Sequence, residues 1–228
     1  MKSFNKGLLF LSFLCLLLVL KSSEERLLLE STGLIFQQFK LGNDIIFNLS
    51  CGMLISIWFY FLVVWLPEKK NKNRVKTHFI FQYTEFKRNL IMHIVRACRE
   101  PCCSDLLDSL IVNQAFKSYF KEKVTIDQDR WHVFLNNLDK DLLNDILHEF
   151  EAFQYATSYL LGSVQVDDDE VFSFLHRINT ISITLKGVSV EDDSIKRLSR
   201  LLWEILAGFS GNNGYQDYDY FDKMFRKI

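Results

Sequence analysis

From Ile45 to Leu66 the chain reads as one apolar run, "IIFNLSCGMLISIWFYFLVVWL", twenty-two residues without a charge. At ~1.5 Å of helical rise per residue it extends about 33 Å, more than the roughly 30 Å hydrocarbon core of a bilayer. A shorter run, "GLLFLSFLCLLLVL" from Gly7 to Leu20, follows Lys2 and Lys6. Its fourteen residues reach only about 21 Å. A basic start before a short apolar stretch also describes a secretory signal, yet "VLKSSEER" offers no small-x-small cleavage site, because Leu20 and Lys21 stand where small residues are wanted. The first segment is therefore read two ways, as a retained transmembrane helix or as a cleaved signal. Between the runs, Leu28, Leu34, Ile35, Phe39 and Leu41 lie among polar residues. That pattern fits an amphipathic helix on the outer surface or packing between two helices.

Beyond residue 66 the apolar positions recur at helical spacing. Phe79, Tyr83, Phe86, Leu90 and Ile94 predict a helix that resumes after a break at the membrane exit. Leu106, Leu107, Leu110, Ile111 and Phe116 predict a second helix, and Trp131, Phe134, Leu135 and Leu138 a short third. A strong stripe from Leu142 to Phe153 predicts a fourth, over about 140–161; Val171 to Ile181 and Ile195 to Phe209 predict two more. Asp167-x-x-Glu170 and Ser189-x-x-Asp192 read as helix starts. "ISITLKGVSV" alternates as a hairpin would, but two isolated strands are marginal, so the helix is read to about Lys186 with Gly187 as its stop. The tyrosine- and aspartate-rich stretch after Gly211 reads as a loosely held tail.

Charge orients these elements. Trp65 suits the interfacial aromatic belt, and Pro67 sits where the spanning helix is expected to end. Lys69, Lys70, Lys72, Arg74 and Lys76 then follow against a single Glu68, while the stretch 21–44 carries three Lys/Arg and four Asp/Glu. By the positive-inside rule residues 67–228 face the cytoplasm under either reading of the first segment. The same cations would be drawn to the anionic lipids of that leaflet, by roughly 1 kcal/mol each.

The expected fold class is all-α: two N-terminal transmembrane helices, the first alternatively a signal segment, followed by a cytoplasmic helical bundle. The domains expected are 1–66 in the membrane (7–20 first apolar segment, 21–44 external loop, 45–66 main span), 67–210 a cytoplasmic helical domain, and 211–228 the tail. Nine Gly and two Pro among 228 residues fit few turns, which is against an all-β fold. With 27 Lys/Arg against 28 Asp/Glu the chain lacks the basic excess of a general nucleic-acid binder.

The chemistry on offer is thin. Cys98, Cys102 and Cys103 in "ACREPCCSD", with His93 just before, raise a metal reading. Structural zinc wants two spaced pairs, however, and adjacent cysteines project differently from a helix. Ordinary free thiols are the expectation, as for Cys15 and Cys51. Asp129-x-x-His132 and Asp145-x-x-His148 distantly resemble the carboxylate–histidine pairs of di-iron bundles, but their positions fall opposite the apolar stripes. "VDDDE" reads as an acidic helix start. No phosphate loop, nucleophile elbow or HExxH is present. Catalytic groups, a cofactor, a metal and a small-molecule substrate are accordingly not expected.

The stretch Phe59–Ile94 resembles a set of uncharacterised bacterial inner-membrane proteins, in which a spanning helix exits through a "VVxLPEKK"-like sequence into a basic run and an aromatic-rich Y-x-x-F-K helix. The matching residues here are Val63, Val64, Pro67, Glu68, Tyr83, Phe86 and Lys87. The likeness implies a bacterial inner-membrane protein with a helical cytoplasmic region and carries over no activity. The leading expectation is a membrane-anchored module that works through protein contacts, with a protein partner or a second copy besides membrane lipids. The alternatives are an oligomeric pore or transport subunit, with Asn48 and Ser50 lining it, and a membrane-anchored enzyme whose active site is assembled from distant residues.

Overall fold

The computed structural model describes residues 2–23, 41–185, 187–189, 193–210, 214–216 and 218–228. Most of the stretch between the two apolar runs, and Asp192 of the Ser189 helix-start motif, lie outside the described residues. The chain is mostly helical, as its apolar spacing predicts. It divides into two units, Met1–Asn71 and Lys72–Ile228.

In the first unit, α1 (Lys2–Ser22) and α2 (Asn43–Tyr60) pack on each other. Cys15 and Ser22 on α1 and Ser50 and Ile57 on α2 are buried, small side chains among them that let two helices approach closely. The Asn43 amide donates to the Ser22 carbonyl at 2.8 Å, joining the end of α1 to the start of α2. Among the described residues one helix, Asn43–Ala97, is long and apolar enough to cross a membrane, where the sequence predicts two such segments.

Pro67 does not end that helix. A proline lacks the N–H of the ladder and its ring presses on the carbonyl four residues back, here Val63. The backbone meets this by widening into a π-helical turn over Phe61–Trp65, in which the Leu66 N–H reaches the Phe61 carbonyl five residues back. The helix then continues as α3 (Leu66–Ala97), so the break expected at the exit is a local widening.

The second unit is built around α3, whose Val75, Phe79, Tyr83, Phe86, Leu90, Ile91, Ile94 and Val95 are all buried. The second helix foreseen is two, α4 (Ser104–Leu110) and α5 (Asn113–Lys121), parted at an extended Val112. Then come α6 (Arg130–Asn136), α7 (Lys140–Ser163), α8 (Asp169–Thr184) and α9 (Ser194–Ala207). Aspartates start four of the second unit's helices by accepting backbone N–H bonds: Asp129 before α6, Asp139 before α7, Asp168 before α8 and Asp219 before the last helix. Each such cap is worth about 1 kcal/mol. The cap of α8 is thus Asp168, one residue beyond the motif. Where the sequence also alternates as a hairpin would, the helix runs on through 181–184 with Leu185 as its cap residue, and Gly187 stands at φ 84°.

Two corrections concern the C-terminus. Phe209–Ser210 (β1) pairs antiparallel with Gly214–Tyr215 (β2), a two-residue hairpin that apolar spacing does not reveal. More consequentially, the segment expected as a loose tail is not loose over 218–228. It carries α10 (Tyr220–Arg226), whose Met224 and Phe225, with Ile228 behind them, are buried in the core. Phe225 meets Phe79 and Tyr83 edge-on, at 4.9 Å between ring centroids in each case. Phe86 and Phe153 stack at 4.6 Å beside them.

Candidate functional site

A charged side chain lies in the middle of this aromatic core. Lys87 sits on the apolar face of α3 and is 2% exposed. Its ammonium donates to the Ile111 carbonyl at 2.8 Å, the Asn113 amide oxygen at 2.7 Å and the Asp219 carboxylate at 2.8 Å. Three donors thus meet three acceptors, which is what a buried ammonium needs. The break between α4 and α5 supplies one of them, because it leaves the Ile111 carbonyl outside the helix ladder. Asp219 is used twice more: it accepts from the Tyr83 hydroxyl at 3.0 Å and from the Asp222 N–H at 3.0 Å, capping α10. Burial first, and then the Asp219 charge, hold the Tyr83 hydroxyl well above its ordinary pKa, so it stays a donor. Gly208, at φ 66°, is part of the same construction, since a Cβ there would stand 2.8 Å from the Asn113 amide nitrogen. The cluster ties α3, α5 and α10 together.

Tyr83 of this cluster and Phe221, whose rings stack at 6.3 Å between centroids, also wall a cavity of about 250 Å³. Phe86, Phe150, Phe153 and Phe174 complete its aromatic lining, and Ile178 and Ser182 of α8 lie along one side. Two charged residues also border it, Arg177 of α8 and Glu204 of α9, both on the exposed surface. The Arg177 guanidinium lies 5.6 Å from the centre of the Phe174 ring. Partial burial raises the Glu204 carboxyl above the usual range, opposed by Arg177. A shallower groove of about 310 Å³ runs between α3 and α7, lined by His78, Gln82, Tyr155 and Tyr159 among others.

The membrane-flank residues separate into two sets. Trp65, Pro67, Lys69 and Lys70 belong to the first unit, where the Lys69 ammonium lies 4.8 Å from the Trp65 ring centre. Lys72, Arg74 and Lys76 belong to the second. There Lys72 donates to the Gln165 carbonyl at 3.2 Å and meets Asp167 at 3.4 Å. Lys76 donates to the Arg226 carbonyl at 2.6 Å, satisfying an end carbonyl of α10 as cations do at helix C-termini. Burial, with Lys72 and Arg226 nearby, lowers the Lys76 pKa. Two of the five cations, Lys72 and Lys76, therefore serve the fold of the second unit, a role their spacing does not disclose. Within α2, Ser50 is buried while Asn48 is exposed.

The thiols do not converge with His93. Cys98 is half-buried and directed at the Arg130 carbonyl, 3.4 Å away; burial, then Glu100, pushes its pKa up to about 11. Cys102 is half-buried, and Cys103 is exposed at the start of α4. His93 instead faces α7, 3.8 Å from both Asp145 and Glu149. Asp129 caps α6 and meets the His132 ring at 2.6 Å; burial alone would raise its pKa, but the His132 N–H and ring outweigh that and lower it. Asp145 and His148 are exposed. Among the described residues no three His, Cys, Asp or Glu side chains form a metal-holding group.

No protein-family model matches the chain, and no curated protein or solved structure does so either.

Sequence reasoning missed the Lys87–Asp219 cluster, although one signal was visible. Lys87 falls inside the apolar stripe Tyr83, Phe86, Leu90, Ile94, and a cation there requires a buried partner. Nothing near it in sequence points to Asp219, 132 residues away.

Proposed function

We propose that the chain is a membrane-anchored protein whose C-terminal helical unit faces the cytoplasm and works by binding another protein. One observation carries the anchoring. Along 45–62 the residues Ile45, Leu49, Ile55, Trp58, Phe59 and Leu62 are all more than half exposed. Apolar surface of that extent is unfavourable in water by about 25 cal/mol per Å² and is expected against lipid. The cations at 69–76 support the cytoplasmic orientation. The bacterial inner membrane enters this reading through the resemblance of Phe59–Ile94 alone.

The binding role rests on exposed aromatics. Tyr155 (65% exposed) and Tyr159 (59%) stand on α7 along the groove, and Phe81 (56%) is exposed on α3. Tyrosine and phenylalanine are enriched where proteins meet, because they offer a large contact area at low entropic cost. A photo-crosslinking residue at position 155 or 159 of the full chain in its native host should give discrete protein adducts. Adducts no more frequent than those from exposed Asp141 would refute the reading. The adduct mass separates a different partner from a second copy.

A further inference from the structure

The aromatic cavity between α3, α7, α8, α9 and α10 has the features of a ligand site, and we infer that it takes a medium-chain carboxylate: an apolar chain of about eight heavy atoms ending in one anionic head. The volume sets the length. About 250 Å³, at the roughly 30 Å³ that a water molecule occupies in the liquid, holds about eight groups of that size. The lining sets the chemistry of the chain. Phe86, Phe150, Phe153 and Phe174 present rings, and Ser182 leaves no hydroxyl proton for a ligand, because it donates to the Ile178 carbonyl at 3.1 Å. The interior is therefore suited to hydrocarbon.

The edge of the cavity sets the head group. Arg177 is held over the Phe174 ring, and among the described residues it has no carboxylate within ion-pairing distance. A guanidinium presents its donors in a fork that matches a carboxylate in two-point fashion. Glu204, the other charged residue lining the cavity, opposes an anion while ionised and offers a donor once protonated. The two charges therefore act on a ligand head with opposite sign, and the sign of each effect identifies the head. This site is independent of the protein-binding surface proposed above, which lies along the α3–α7 groove.

The test uses the full chain in lipid nanodiscs, with 8-fluorooctanoate and 8-fluorooctylammonium as probes followed by fluorine NMR, and empty nanodiscs to subtract partitioning into lipid. Saturable binding of the carboxylate is expected, weakened at least tenfold in Arg177→Gln and tightened severalfold in Glu204→Gln. Both substitutions are at exposed positions and should leave the circular dichroism unchanged. Ser182→Phe, which puts a ring into the cavity, should abolish saturable binding. If that variant does not fold, the two charge variants carry the test alone. Tighter binding of the ammonium probe, or carboxylate binding that moves less than twofold in both charge variants, overturns the assignment. The second result is also what the tail of a bilayer lipid entering the cavity would give, since it brings no charge to the mouth.

Discussion

Replacing Lys87 by Met would keep most of the apolar stem but leave Asp219 without its cation, and leave the Asn113 oxygen and the Ile111 carbonyl without a donor. Breaking a buried ion pair by removing one partner costs 3–5 kcal/mol. Asp219 keeps its bonds from Tyr83 and from the Asp222 N–H, and its side chain is 18% exposed, so the lower end of that range, about 3 kcal/mol, is expected. The measurement is urea unfolding of the full chain in nanodiscs, followed by near-ultraviolet circular dichroism. Adding Asp219→Asn to Lys87→Met should cost less than the sum of the two single changes; strict additivity would mean that the pair is not coupled. A second residue-scale prediction concerns Cys98. The thiolate is the reactive species, and a pKa raised to about 11 leaves little of it at pH 8. Allowing for the greater nucleophilicity of a more basic thiolate, Cys98 should react with iodoacetamide roughly twentyfold more slowly than an ordinary thiol at pH 8. Its rate should keep climbing to about pH 11, read by mass spectrometry of the alkylated peptide. Exposed Cys103 should be modified well before it.

At the scale of elements, α10 is the piece whose removal tests the architecture. Phe225 is fully buried against Phe79, Tyr83 and Phe153. Phe225→Ala should destabilise the second unit by about 3–5 kcal/mol, a large share of the 5–15 kcal/mol available to a typical domain. An effect below 1 kcal/mol, measured by the same unfolding experiment, would mean that the helix is not docked in solution. This helix was also the least legible in the sequence, and the reason is physical. The helices α7, α8 and α9 announce themselves because each carries a long periodic stripe, and the Asp167-x-x-Glu170 motif falls within one residue of the α8 cap. A seven-residue helix has too few turns to show a period, and "YFDKMFRK" places its buried Phe and Met among charges, of which Lys227 serves the distant Glu170, just as Asp219 immediately before the stretch serves Lys87. The division of α4 from α5 was hidden for a similar cause, since the carbonyl released at Ile111 is taken up by a lysine 24 positions earlier. Pro67 misled in the opposite direction. Its local chemistry argues for an end, but a π-turn absorbs the clash without stopping the helix. The candidate cavity was legible only as separate apolar stripes, because its mouth joins Arg177 and Glu204 from two different helices.

For the whole molecule the decisive question is which side of the membrane each segment occupies, and the two readings of the first apolar run differ at one end only. In both, the orientation proposed from the cations after Leu66 would put the second unit in the cytoplasm and the stretch before Asn43 outside. If α1 is retained, its packing against α2 through Cys15, Ser22, Ser50 and Ile57 makes a two-helix hairpin, and the start of the chain returns to the cytoplasm. If it is cleaved, nothing before about residue 21 remains in the mature chain. In a background with the native cysteines replaced, single cysteines at position 7, at position 41 and at native Cys103 separate these cases. Gly7 has open space around it, and Leu41 is 90% exposed, so neither substitution should disturb packing. A maleimide that cannot cross membranes should label Leu41→Cys in intact cells and Cys103 only after permeabilisation. Position 7 should then behave like Cys103, because the part-buried polar contact between Asn43 and Ser22 and the packed seam behind it give α1 a partner that a discarded signal would not need. Absence of residues 1–20 from the mature protein by mass spectrometry would overturn the hairpin while leaving the orientation of the second unit intact. Labelling of Cys103 in intact cells would overturn both.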